Sequence, residues 1–341
     1  MKGILIIGAI GVMVLSFSAT VLASDNDQQR FEKNNELYKT CQRQAFLKPD
    51  KKTRYKINYC FFERAGDDLT IILPGNQEPL FMYLELAQKV STRESVLVID
   101  HLNQGESQRI LNKSQLDQKK IYIKDFDLYL ETIDLVLNQV FLNKENLKKK
   151  RVRFIAHSMG GLIALDYAKK VAASGTVNIR EIILSSPMLR FLGPELPDSL
   201  LYQTVRFINW LGFSKAFAFG QGSNNYPPFS STNQSTTSKS WYNYAKYIYQ
   251  RRPELRSYGN TFSWVEAAYQ RVAKNLDQVE NLRMPIMIFR ASHDEVVDIE
   301  VMKSFCDKLP NCHERLLKGA KHDLFRERDI YQAPLIEAIF K

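Results

Sequence analysis

The stretch Val152-Arg153-Phe154-Ile155-Ala156-His157-Ser158-Met159-Gly160-Gly161 decides the fold. A short, mostly apolar β-type run passes straight into a helical pattern, with one serine at the bend. That layout predicts a sharp, strained turn lifting a hydroxyl above the edge of a sheet. The positions two before and two after the serine must be small, because strand and helix approach each other closely there. Gly160 meets the second requirement, and Ala156 meets the first with one methyl more than glycine. The helix start also offers backbone N–H groups to a developing oxyanion. Ser158 is the candidate nucleophile. A chance serine in a strand–helix turn is the competing reading.

Outward from this turn, short apolar runs alternate with longer helical patterns, which is the signature of an α/β fold. Strands are expected at 55–63, 69–73, 95–100, 152–156, 181–185, 285–291 and 314–317. Helices are expected at 126–141, 161–173 and 301–309; in the first, Phe126, Leu130, Ile133, Leu137, Val140 and Phe141 recur at the spacing of a buried stripe. Strands vanish between about 188 and 282, where aromatic-rich helical pieces flank a polar loop at 220–240. The expected architecture is a mostly parallel sheet flanked by helices, one domain over 24–341 with a helical cap inserted at about 188–282.

A serine at its free pKa is a poor nucleophile and needs a base, itself oriented by a carboxylate. In hydrolases built on this turn the order along the chain is serine, acid, histidine. The chain has five histidines. His101 and His157 precede Ser158, His293 abuts Asp294, and His313 opens a strand. His322, in the loop Gly319-Ala320-Lys321-His322-Asp323 after the last strand, is the expected base. Asp294 ends the strand at 285–291, where ligands gather in open α/β sheets, and is the expected acid. Asp298 and Glu295 are the alternatives, with Asp298 expected to cap the next helix. The oxyanion donors are expected to be the backbone N–H groups of Met159 and of Asn76, in the turn after the strand at 69–73.

Met1-Lys2, an apolar run to Leu22 and the small-residue site Val21-Leu22-Ala23 lay out a secretory signal peptide over 1–23; an uncleaved membrane anchor is the alternative. Export is the expected fate. Four cysteines suit export, with Cys41–Cys60 and Cys306–Cys312 the preferred pairs. No metal pattern is present, and no cofactor is required. The 341 residues carry 47 basic and 37 acidic side chains, net +10, with 45% hydrophobic residues. That composition excludes a disordered tail, a collagen repeat and a polytopic membrane protein. The basic runs at 48–56 and 148–153 read singly as solvated surface and together as a weak attraction to anionic membrane. No nucleic-acid module accompanies them.

With these residues in place, the chain resembles the α/β-hydrolase superfamily, and within it the monoacylglycerol-lipase-like branch with its bacterial lysophospholipases. The likeness runs from about Asp68 to the C-terminus. It is carried by Leu73-Pro74-Gly75, Asp100-His101-Leu102-Asn103-Gln104-Gly105-Glu106-Ser107, Ala156-His157-Ser158-Met159-Gly160-Gly161, Gly319-Ala320-Lys321-His322 and the stretch Arg252-Pro253-Glu254-Leu255-Arg256-Ser257-Tyr258-Gly259-Asn260-Thr261-Phe262-Ser263-Trp264. Ala156 and Pro74 are both familiar in that subgroup. Leu102-Asn103 stands where many members carry Arg-Gly.

The resemblance implies hydrolysis of a lysophospholipid or monoacylglycerol through an acyl-enzyme, and for an exported chain it implies a bacterial periplasm or the exterior. The apolar crowd at 200–219 suits an acyl groove or a lipid interface. Phe207, Trp210, Phe213 and Trp264 are its candidate lining residues, with Tyr242 and Tyr244 weaker. Rival readings are an exported esterase or amidase on a non-lipid substrate, and a catalytically silent protein that binds lipid or a partner.

Overall fold

The computed structural model describes residues 25–142, 144–192, 196–222, 226–275 and 279–341. The expected export segment, 1–23, lies outside them. Helix α1 (Asp25–Cys41) leads into β1 (Gln42–Leu47) and β2 (Tyr55–Phe62). Then come β3 (Asp68–Leu73), α2 (Leu84–Val90), β4 (Ser95–Ile99), the two-residue β5 (Lys120–Ile121), α3 (Asp127–Phe141), α4 (Lys144–Lys149) and β6 (Arg151–His157). After Ser158 follow α5 (Met159–Ser174), β7 (Asn178–Ser185), α6 (Asp198–Ile208), α7 (Lys239–Arg251), β8 (Gly259–Asn260) and α8 (Phe262–Asn275). The chain closes with β9 (Ile286–Ala291), α9 (Ile299–Asp307), β10 (Cys312–Leu317) and α10 (Asp329–Phe340).

Eight strands form one sheet in the order β1-β2-β4-β3-β6-β7-β9-β10. β2 pairs antiparallel with β1 and β4, and every other neighbour is parallel. Parallel neighbours need crossovers, and α2, α5 and α9 supply them. The period-2 alternation of the strands sorts side chains onto two faces. Val152, Phe154 and Ala156 of β6 pack with α3, α5, α8 and α9 on one face. Ile155 points to the other face, where α1, α2, α7 and α10 pack. Both faces are covered, which is why the central strands are apolar almost throughout.

All seven expected strands are present. Two features differ from expectation. The alternating pattern begins earlier than Tyr55, because α1 and β1 add a helix and an edge strand. The region after β7 is also not free of strand: Gly259–Asn260 pairs parallel with Lys120–Ile121. A two-residue ladder is too short to leave a periodicity.

Disulfides join Cys41 at the end of α1 to Cys60 in β2, and Cys306 in α9 to Cys312 at the start of β10, with Cα–Cα distances of 4.7 and 5.2 Å. The basic run at 148–153 is largely paired. Arg153 is buried against Glu94, while Arg151 meets Asp68 at 2.7 Å and Lys150 meets Asp67 at 3.8 Å. It sits where β6 enters the sheet, at the opposite end of that strand from Ser158. No described helix is long and apolar enough to cross a membrane.

Candidate active site

β3 and β6 are neighbours with Leu73 opposite Ala156, so the turns after both strands open side by side. Here the strand order reverses, and a crevice forms beyond the carboxyl ends of the strands. Ser158 sits at the bend with φ 49° and ψ −118°, a region costly for any side chain. Its backbone is held firmly: Ser158 N donates to Ser185 O at 3.0 Å, and Ser158 O accepts from Gly161 N and Met188 N, each at 2.9 Å. Gly160 has no room for a side chain. A Cβ there would lie 2.3 Å from Leu73 O and 2.5 Å from Pro74 O.

The structure brings the three candidate side chains together. Ser158 Oγ donates to His322 Nε2 at 2.9 Å, and His322 Nδ1 donates to Asp294 Oδ2 at 2.7 Å. Asp294 Oδ1 accepts from the amides of Val296 at 2.9 Å and Val297 at 3.1 Å. Burial opposes its charge, but the His322 contact and these amides hold its pKa below the usual carboxylate value. Asp298 instead caps α9 through Glu300 N and Val301 N, as expected. Glu295, His293 and His313 are exposed. His101 and His157 are buried and structural. His101 Nε2 donates to Pro74 O at 3.0 Å and His157 Nδ1 to Ser185 O at 3.0 Å. Burial lowers both of these pKa values to about 4.

Among the described residues, no acceptor engages the backbone N–H of Asn76 or of Met159. Two ties that sequence reading missed fix the Asn76 turn. Gln104 accepts from Gln77 N at 2.7 Å and donates to Gly75 O at 3.0 Å. Its only sequence signal was its place in the Asp100–Ser107 stretch. Glu78 accepts from Gly75 N at 2.8 Å and pairs with Arg326, whose Nε meets Asp323 Oδ2 at 2.6 Å. The Asn76 turn and the His322 loop are thus joined through one buried guanidinium. Burial opposes Glu78's charge, yet Arg326 beside it holds its pKa at about 2. Burial pushes Asp323 up to about 6, against the pull of Arg326. Glu78, His157 and Asp323 bring ligand-type atoms within 4.8 Å of one another. Arg326 already occupies that cluster's charge, so it does not suit a metal ion.

Two chambers flank the Asn76–Asn260 hydrogen bond of 3.0 Å. One, of about 360 Å³, is polar and aromatic, with Asn76, Tyr226, Tyr249, Arg256 and Asp323 among its walls. The other, of about 240 Å³, is apolar, with Leu201, Val205, Phe262, Trp264 and Tyr269 among its walls. Trp264 lines the apolar chamber. Phe207, Trp210 and Phe213 are 57, 78 and 56% exposed and line neither chamber. Leu201 and Val205 face inward, whereas Phe207 and Trp210 stack at 5.8 Å on the outer side. Tyr242 lines the polar chamber, and Tyr244 is buried against Asn34.

A family model described as serine aminopeptidase, S33, matches residues 66–329. The chain belongs to this family. Its sheet and flanking helices are those of the α/β-hydrolase fold. Among sequence relatives of this S33 chain, the probable lysophospholipase L2 of Haemophilus influenzae is 26% identical over 280 residues, spanning 81% of this chain and 84% of that protein. Lysophospholipase L2 of Escherichia coli strain K12 is 26% identical over 291 residues, spanning 82% and 81%. Among solved structures, the Paleococcus ferrophilus monoacylglycerol lipase aligns with TM-score 0.63 at 15% identity, over 83% of this chain and 97% of that one. A soluble variant of the Saccharomyces cerevisiae monoglyceride lipase aligns with TM-score 0.63 at 16% identity, over 88% and 94%.

Proposed function

We propose that this protein hydrolyses the acyl ester of a lysophospholipid or monoacylglycerol through an acyl-enzyme on Ser158. The observation that carries the reading is the Ser158–His322–Asp294 chain of hydrogen bonds at 2.9 and 2.7 Å, set beside two unengaged amides. The chain is a carboxylic ester hydrolase, the class to which its lysophospholipase relatives and lipase neighbours belong.

In this mechanism His322 Nε2 takes the proton as Ser158 Oγ attacks the ester carbonyl, and Asp294 stabilises the imidazolium without accepting its proton. The N–H groups of Asn76 and Met159 receive the oxyanion. Collapse expels the alcohol, protonated by His322. Water, activated by the same histidine, then releases the fatty acid. No step calls for a metal or an organic cofactor.

The segment between β7 and β9 acts as a cap whose apolar chamber, walled by Trp264, takes the acyl chain. Its outer face, with Phe207, Trp210, Leu211 and Phe213 exposed beside exposed Arg206 and Lys215, rests on an anionic membrane surface. The two disulfides fit an oxidising compartment reached by export.

The test is fatty-acid release from lysophosphatidylethanolamine and from monoacylglycerol. Ser158→Ala is expected to lower kcat at least ~10⁴-fold. Full activity in that variant would sink the scheme. Cleavage of short esters or amides with no gain from longer acyl chains would favour the non-lipid reading instead.

A further inference from the structure

Deepening the acyl-ester reading, on which this rests, we propose that α1 is a strap that sets the α7 wall of the polar chamber. Arg30 and Asn34 are its positioning residues, acting on the alcohol side of the ester. The chamber has Asn76 and Asp323, the residue after His322, among its walls. An ester held at Ser158 with its acyl chain in the apolar chamber turns its alcohol side into this one. There it meets α7, which contributes Trp241, Tyr242, Ala245 and Tyr249 to the walls.

The other face of α7, with Tyr244 and Tyr247, packs on α1. Arg30 grips Glu85 of α2 through two nitrogens, Nε and Nη2, the latter 2.7 Å from Oε2. The carbon of the same guanidinium lies 3.6 Å from the ring centre of Trp241 and 4.4 Å from that of Tyr244. A fork on a carboxylate fixes the guanidinium plane, and the face of that plane then holds the indole. Asn34 is 2% exposed, and its Nδ2 donates to Tyr244 Oη at 2.9 Å and to Glu85 Oε1 at 3.1 Å. Phe31 meets the Tyr247 ring edge-on at 5.6 Å. At the end of α1, the Cys41–Cys60 disulfide fixes the strap to β2.

Trp241 touches the strap and lines the chamber, so one side chain passes the position of Arg30 to the space beside the ester. α7 also reaches the Asn76 turn, where the Tyr249 hydroxyl donates to Gln77 O at 3.1 Å. Gln104 and Glu78 hold that turn independently of α7. Loosening the strap therefore alters the chamber more than the hydrogen bonds of Ser158, and it is felt most by an ester whose alcohol fills the chamber.

The experiment compares kcat/KM for three esters of one acyl chain: the methyl ester, the monoacylglycerol and lysophosphatidylethanolamine. It uses the full chain, Arg30→Gln, Arg30→Lys and Asn34→Leu, each assayed well below its own Tm. In Arg30→Gln the loss is expected to grow with the alcohol, from within about twofold for the methyl ester to about tenfold or more for the lysophospholipid. Asn34→Leu is expected to lose about threefold on the lysophospholipid. Arg30→Lys keeps a cation over Trp241 without the fork, and is expected to recover part of the loss. Equal losses on all three esters would overturn the proposal, marking α1 as support for the fold alone, and so would no loss on any. Either result leaves the acyl-ester reading standing. No hydrolysis of any of the three by the wild type would overturn that reading and this one with it. If Arg30→Gln fails to fold, Asn34→Leu carries the test.

Discussion

At Ser158 the backbone holds φ 49° and ψ −118° because Ser185, Gly161 and Met188 fix its amide and carbonyl. The strain presents Oγ to His322, and the glycine two residues on is the space that allows it. A Cβ at Gly160 would meet two backbone carbonyls of the β3 turn, and backbone does not yield as a flexible side chain does. Gly160→Ala is therefore expected to displace the Asn76 turn and cut kcat by ~10²-fold or more, since losing one oxyanion donor costs that much. Steady-state kinetics check it. Asp294 orients His322 and stays ionised because His322 and two amides outweigh its burial. Asp294→Asn is expected to lower kcat about 10³–10⁴-fold by favouring the wrong imidazole tautomer.

At the scale of elements, α6 is two-faced. Leu201 and Val205 wall the apolar chamber, while Phe207 near the helix end and Trp210 in the turn that follows stand in solvent. Replacing both Phe207 and Trp210 by Ser is expected to weaken binding to anionic vesicles at least about tenfold, since each buried aromatic contributes about 1.5–3 kcal/mol. Hydrolysis of a soluble short-chain ester measured alongside reports whether the chambers survive. The same helix shows what a sequence conveys and what it withholds. Strands such as β3 and β6 were legible because burial on both faces writes an apolar run. That the side chains of Ser158, His322 and Asp294 would meet was legible because their chain order and loop positions follow one pattern. The outward turn of Phe207, Trp210 and Phe213 was not, because apolar residues crowd 200–219 too densely for their spacing alone to say which of them face inward. Helix α1 was missed because, among its described side chains, only Phe31, Asn34, Tyr38 and Cys41 are buried, too sparse among charged neighbours to form a pattern. The Glu78–Arg326–Asp323 tie was invisible because its members lie 248 and 3 positions apart.

Across the whole molecule, pH acts through buried groups. His101 and His157, lowered by burial to about 4, stay neutral in the fold while an unfolded histidine takes a proton near 6.5. Between about pH 6.5 and 4 the unfolded state thus binds more protons, so stability falls as pH drops through that window. Asp323, raised to about 6, works the other way between about pH 4 and 6, where the folded state holds the extra proton. Two histidines outweigh one carboxyl. Thermal unfolding is expected to show Tm falling from pH 6.5 toward 4, and His101→Gln is expected to flatten the slope. The disulfides add a separate contribution. Closing spans of 19 and 6 residues stabilises by roughly 3 and 2 kcal/mol. The proposed reaction turns on one chemical event at the mouth of the sheet, a fatty acyl group resting on Ser158. Acid-quenching the enzyme during turnover of a lysophospholipid, then weighing its peptides, looks at that event directly. The account predicts one acyl mass on the peptide holding Ser158, absent in His322→Ala. An acyl group on any other residue, or hydrolysis with Ser158 unmodified throughout, would contradict it.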